Sequence, residues 1–246
     1  METIRIGEDW SAKAPHERLL DLRAQTSGRV VFTTSFGIED QALTHLIANS
    51  KLDIDIVTLD TGRLFQQTYD VWRATEQRYD LRIRAFYPAH EDVEALVARQ
   101  GIDGFYQSVD KRHACCDVRK VRPLSRALNG AKAWISGLRA SQSEERQTAE
   151  FVTFDATRDL LKANPLLDWS RDNVVAFIQA NSVPVNALHT QGFPSIGCAP
   201  CTRAIEPWED ERAGRWWWET SNKECGLHVG PDGRLVRAGA ATGASA

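Results

Sequence analysis

Gly28-Arg-Val-Val-Phe-Thr-Thr-Ser-Phe-Gly-Ile-Glu-Asp-Gln-Ala-Leu-Thr-His-Leu-Ile-Ala-Asn49 is the stretch that decides the fold. Arg29 to Thr34 is β-prone, Ser35-Phe-Gly37 turns, and Glu39 to Ala48 repeats its apolar residues at helical spacing. The pattern then recurs. Ile54 to Leu59 reads as a strand ending in Asp60-Thr-Gly-Arg63, Leu64 to Tyr79 as a helix, Leu81 to Tyr87 as a strand stopped by Pro88, and Val93 to Arg99 as a helix. Ala133 to Ser136 supplies a further strand, Phe151 to Leu161 a hairpin, and Asn173 to Ala180 a helix capped by Ser170. Strands alternating with helices predict an α/β fold with a mostly parallel sheet and helices on both faces.

Length and composition narrow the class. The 246 residues suit one domain with a tail: an α/β body over residues 1–210 and a C-terminal segment over 211–246, whose last stretch is small and polar enough to be mobile. No apolar run approaches the roughly 20 residues that span a bilayer, and the N-terminus carries acidic residues where a secretory signal would be apolar. A cytoplasmic protein with no membrane partner is expected. A net charge of −3 argues against nucleic acid as a partner, because that binding draws on excess Lys and Arg. Basic residues are nonetheless concentrated around Cys115-Cys116, with Lys111, Arg112 and His113 before the pair and Arg119, Lys120 and Arg122 after it, as a small anion would require.

Five cysteines cannot all pair, and a reducing compartment disfavours disulfides. Cys198 and Cys201 form a Cys-x-x-Cys turn. The adjacent Cys115 and Cys116, expected at the start of a helix that ends near Leu128, diverge by about 100°. Neighbours that diverge reach a single small zinc ion poorly, whereas a cubane offers iron atoms at separate corners and takes four thiolates. Zinc, a thioredoxin-like dithiol at Cys198 and Cys201, and simple burial of small side chains stay open on these residues alone. Cys225 stands apart, between Lys223 and His228, where positive charge favours a reactive thiolate.

Cys115-Cys116 with Arg119-Lys120, Gly197-Cys-x-x-Cys-Thr-Arg203, Gly214-Arg-Trp-Trp-Trp-Glu219 and Lys223-Glu-Cys-Gly-Leu-His228 together resemble the assimilatory adenylyl-sulfate reductases of the phosphoadenylyl-sulfate reductase family. Ser35-Phe-Gly-x-Glu-Asp40, Leu59-Asp-Thr-Gly-Arg63 and Gly137-Leu-Arg-x-x-Gln-Ser143 extend the likeness, which runs from about Val30 to His228. The resemblance implies an adenine-nucleotide α-hydrolase-like fold, with Ser35, Phe36 and Gly37 cradling the anionic end of a nucleotide at a helix N-terminus. The turn departs from the Ser-Gly-Gly-x-Asp-Ser form of pyrophosphatases in that superfamily, which argues against a triphosphate ligand.

The resemblance also implies one 4Fe-4S cluster on Cys115, Cys116, Cys198 and Cys201. Cys225 is then the nucleophile that takes the sulfonate from adenylyl sulfate, and reduced thioredoxin or a similar dithiol protein is the partner that releases sulfite. Arg119 and Lys120 are expected to balance the charge of cluster and sulfate, with Lys120 between the two. Arg139 and Gln142 are expected to hold the phosphosulfate, Leu59 and Gly137 to border the adenosine, and Arg203 and Arg215 to serve as further anion contacts. The three tryptophans 216 to 218 read as packing. Use of the 3′-phosphorylated nucleotide, a non-catalytic iron–sulfur sensor and a homo-oligomer are the remaining alternatives.

Overall fold

The computed structural model describes residues 6–143 and 146–219. Helix α1 (Pro15–Gln25) leads into β1 (Arg29–Thr34), α2 (Ile38–Asn49), β2 (Asp55–Leu59), α3 (Gln66–Tyr79), β3 (Arg84–Phe86) and α4 (His90–Gln100). Then come α5 (Val109–Cys116), a π-turn over Asp117–Val121, α6 (Arg122–Leu128) and β4 (Ala131–Ile135). A hairpin of β5 (Val152–Asp155) and β6 (Leu160–Ala163) precedes α7 (Arg171–Ala180), capped by the Ser170 side chain on Asn173 N–H. None of the described helices is long and apolar enough to cross a membrane.

The six strands lie in the order β3-β2-β1-β4-β6-β5, all neighbouring pairs parallel except β5 with β6. Strand β1 is buried on both faces, as a central parallel strand must be. Val30 and Phe32 join Leu19, Leu22, Leu43 and Ile178 in one core layer; Val31 joins Leu124, Leu128 and Trp134 in the other. Helices α1, α2 and α7 cover the first face and α6 the second. Because β1 is flanked by β2 on one side and by β4 on the other, the chain changes direction across the sheet between β1 and β4, and a crevice opens at the carboxyl ends of those strands.

Three boundaries differ from expectation. The third strand spans only Arg84–Phe86, since Ile83 before it turns inward against Phe36 and Val71. The cysteine pair closes α5 and does not open a helix; the chain stays helical beyond it through a turn wound one residue wider. Residues 211–219 pack on the body: Arg215 bridges to Thr202 in antiparallel fashion and Trp216 is buried. Residue 210 is therefore no break in packing.

Close backbone approach holds that last segment in place. A Cβ on Gly214 would stand 2.3 Å from the Arg203 carbonyl oxygen, which accepts no such contact without moving the strand-like pairing. Gly214→Ala is expected to lower unfolding stability by about 1–3 kcal/mol, the usual range for overpacking. A midpoint in urea equal to that of the parent would remove this account.

Candidate functional site

A cavity of about 210 Å³ fills the crevice at the carboxyl ends of β1, β2 and β4. Ser35, Phe36, Gly37, Leu59, Lys120, Gly137, Gln142 and Arg215 all border it, which brings together eight of the residues singled out from the sequence. Phe36 holds a left-handed backbone (φ 62°) while buried and stacked on Trp72 at 5.5 Å, with its N–H donating to Thr34 Oγ1 at 3.0 Å, so packing and one local hydrogen bond hold the tight turn. The turn feeds α2, whose first N–H groups have no partner within the helix and point positive charge into the cleft.

The Ser35 donors, however, face an internal carboxylate. Its N–H and hydroxyl both donate to Asp40 Oδ2, at 2.6 and 2.7 Å. Gly137 makes room for that carboxylate, since a Cβ there would lie 2.3 Å from Asp40 Oδ1. Burial raises the Asp40 carboxyl to about 6, against the two Ser35 hydrogen bonds, and the Glu39 charge adds to the rise. Between about pH 4 and 6 the folded chain keeps a proton that the unfolded chain has lost, so stability falls as pH rises through that window, by about 3 kcal/mol. Asp40→Asn retains an acceptor for Ser35 and is expected to flatten that slope and to stabilise the protein above pH 6. Urea unfolding at pH 4.5 and 7.5 measures it; an undiminished slope in the variant refutes it.

Arg139 requires a correction. It is fully buried and does not border the cleft: Nε donates to Glu39 at 2.8 Å, Nη1 to Ser141 at 2.7 Å, and Nη2 to both oxygens of Glu211 at 2.8 and 3.0 Å. With its donors committed, it fastens the chain near 211 to the start of α2. Arg203 also lies outside the cleft, forked onto Glu209 at 2.5 and 2.8 Å. The cations that do reach the cleft beside Lys120 and Arg215 are Arg146, 2.5 Å from Gln142 Oε1, and Arg212. Sequence reading missed both. The one signal was position, since Arg146 follows Gln142 by one helical turn and Arg212 precedes Arg215 by three residues.

A second, smaller cavity adjoins the first and is lined by all four of Cys115, Cys116, Cys198 and Cys201, with Arg63, Phe105, Arg112, Arg119 and Lys120. The elements that deliver the thiols are the end of α5 and the short turn Ala199–Cys201, which Arg63 carbonyl anchors by accepting from Ala199 N–H at 2.8 Å. Lys120 alone among the described residues borders both cavities. Arg119 donates to the Thr61 carbonyl at 2.6 Å and stands beside Cys115. Burial alone would raise the Cys198 thiol, but Lys120, the Thr61 hydroxyl at 3.3 Å, Arg215 and Arg119 outweigh it and hold Cys198 below its ordinary value. Burial and the neighbouring Cys198 push Cys201 up to about 12, and burial also raises Cys115.

Among the described residues no three His, Cys, Asp or Glu side chains converge tightly enough to hold one metal ion. The four thiols line one cavity, and four thiolates are the ligand count of a cubane cluster. The buried Arg119 Nε, with no hydrogen-bond partner among the described residues, adds an orphan donor to a cavity rich in positive charge. The donor set thus fits a four-iron cluster. Cys225 lies outside the described residues, as do Lys223 and His228.

Comparison with known proteins agrees with this architecture. The chain is 55% identical over 211 residues to adenosine 5′-phosphosulfate reductase of Rhizobium meliloti (strain 1021), covering 85% of this chain and 80% of the relative. It is 53% identical over 200 residues to the enzyme of the same name from Allochromatium vinosum, covering 81% and 78%. The crystal structure of phosphoadenylyl-sulfate reductase from Candida auris superposes with a TM-score of 0.69 at 26% identity, over 83% of this chain and 98% of that one. Yeast FAD synthetase shares the fold alone, with a TM-score of 0.54 at 16% identity over 83% and 70%. The architecture is that of the adenine-nucleotide α-hydrolases. Residues 29–204 match the phosphoadenosine phosphosulfate reductase domain, and the chain belongs to that family.

Proposed function

We propose that this protein reduces adenylyl sulfate to sulfite and AMP, with Cys225 as nucleophile and a dithiol protein of the thioredoxin type as reductant. The observation that carries the reading is the shared wall of two cavities: Lys120 borders both a nucleotide-sized cleft and a cage of four thiols. Relatives 53 to 55% identical bear the name adenosine 5′-phosphosulfate reductase, which favours the nucleotide without a 3′-phosphate.

The chain's own residues divide the work. The start of α2 and the cations Arg146, Arg212 and Arg215 bind the phosphosulfate; the cleft walls from β1, β2 and β4 take the adenosine. Cys225 thiolate attacks the sulfur of the sulfate group, the sulfur–oxygen bond to phosphate breaks, and AMP leaves with that electron pair. A thiolate of the reductant then attacks the Cys225 sulfur and sulfite departs; the reductant's second thiol resolves the mixed disulfide, restoring the Cys225 thiol. Cys115, Cys116, Cys198 and Cys201 would hold a 4Fe-4S cluster, which supplies fixed negative charge beside the substrate and so a reason for the cations between them.

Incubating anaerobically purified protein with adenylyl sulfate and no reductant tests the reading. One equivalent of AMP should appear, Cys225 should carry a sulfonate by peptide mass spectrometry, and iron and labile sulfide should count about four each per chain. Stoichiometric zinc, or AMP release without a sulfonated peptide, would defeat it. Parallel kinetics with the 3′-phosphorylated nucleotide decide between the two substrates.

A further inference from the structure

The segment 211–219 is fastened to the body at both ends by buried arginines, and its far fastening touches the thiol cage. Arg112 of α5 has no exposed surface; its Nε and Nη2 donate to the two carboxylate oxygens of Glu219 at 2.9 and 2.8 Å. The same guanidinium lies 4.7 Å from the centre of the Trp216 ring, and Arg215, which borders the cleft, lies over that ring at 4.6 Å. Arg112 also stands against the Cys116 thiol and borders the cage. One side chain therefore meets the cage, the indole between cage and cleft, and the last described carboxylate before the sequence reaches Cys225.

A buried ion pair adds little net stability over an apolar pair of the same size, because both charges must leave water. What a forked arginine–carboxylate pair adds is register: two parallel hydrogen bonds fix the direction of the carboxylate as well as its position. Glu219 precedes Cys225 by six residues, so the sulfur acts within roughly 20 Å of this anchor. Without the anchor the nearest fixed point is Trp218, whose ring packs on Tyr106 at 4.5 Å, seven residues before Cys225. Lengthening alone would lower the local concentration of the thiol by only about 1.3-fold, since it falls as roughly the −3/2 power of length. An anchor that also sets the direction of approach matters far more, because a misplacement of about 1 Å can cost about 100-fold.

The geometry points to Glu219, held by Arg112, as a positioning residue that aims the Cys225 segment at the bound nucleotide from the wall of the thiol cage. The inference rests on Cys225 being the nucleophile. It makes the cage and the nucleophile share one support, so that α5 carries two thiols at its end and the registration of the reacting segment one turn earlier.

Glu219→Gln keeps the length of the side chain but replaces one acceptor with an amide that cannot pair with the guanidinium. In iron-loaded full-length protein, first-turnover formation of the Cys225 adduct from saturating adenylyl sulfate should fall tenfold or more. AMP affinity, iron content and the rate of Cys225 alkylation by iodoacetamide, a small neutral reagent that needs no aiming, should stay within twofold. Arg112→Lys, which keeps the charge but not the fork, should lower adduct formation likewise, and Glu219→Asp should recover part of the loss. Adduct formation within fivefold of the parent in Glu219→Gln would overturn the inference, as would iron content and AMP affinity falling together with it. Cys225→Ser run alongside separates the two readings: an adduct on that variant defeats the functional proposal itself, whereas its absence with a fully active Glu219→Gln defeats only the positioning role.

Discussion

Cys225→Ser is expected to abolish formation of the protein-bound sulfonate, lowering the first turnover on the order of 10⁴-fold or more, while iron content stays at the parent level. A serine hydroxyl is barely ionised at neutral pH, and the step requires an anionic nucleophile. Iron should be untouched because the cage is lined by four other cysteines. The competing outcome is specific. Against its burial, Lys120, the Thr61 hydroxyl, Arg215 and Arg119 hold the Cys198 thiol below its ordinary value, which makes it the alternative nucleophile to look for. An adduct that persists in Cys225→Ser and maps to Cys198 would reassign the nucleophile to the cage; an adduct absent from iron-loaded Cys225→Ser, with AMP still bound, supports the assignment.

The order of elements was legible because each strand from β1 to β3 ends in a turn and a helix, and that alternation leaves few topologies for a parallel sheet. Spacing suggested a common site for the adjacent cysteine pair and the Cys-x-x-Cys turn without excluding others, and the family resemblance singled it out; the two, 83 residues apart from Cys115 to Cys198, line one cavity. Long-range charge pairing was not legible. Arg139, at the end of a strand beside a glycine, looks like an anion ligand until Glu39 and Glu211 close on it from positions 100 and 72 residues away. Arg146 and Arg212 carry only the weak signal of their spacing from Gln142 and Arg215, and the folded cleft is what brings them beside Lys120. Asp40 shows the same limit differently. A carboxylate inside an anion cradle contradicts simple charge matching, and its place is set by Ser35 and by the missing Cβ of Gly137.

Lys120→Ala is expected to lower turnover at saturating adenylyl sulfate by about 100-fold, the usual cost of removing one preorganised group from the site of developing charge. Three observations place the effect in the chemical step. Lys120 borders both cavities, its charge acts on Cys198 and Cys201 across the shared wall, and Arg146, Arg212 and Arg215 remain to bind the anion. Substrate affinity, measured as displacement of AMP, should therefore weaken less than turnover does, by tenfold at most. Four thiolates around a core of about +2 leave about −2 next to a substrate that is itself an anion, and the leaving AMP gains charge as the sulfur–oxygen bond breaks. A cation between them offsets both. Lys120→Arg keeps the charge in a wider, planar head and should recover part of the lost rate, which a purely steric role for the lysine would not allow. Turnover in Lys120→Ala within threefold of the parent, at unchanged iron content, would mean that the cage and the cleft are neighbours without electrostatic coupling, and the reason offered here for placing a thiolate cage beside a nucleotide cleft would go with it.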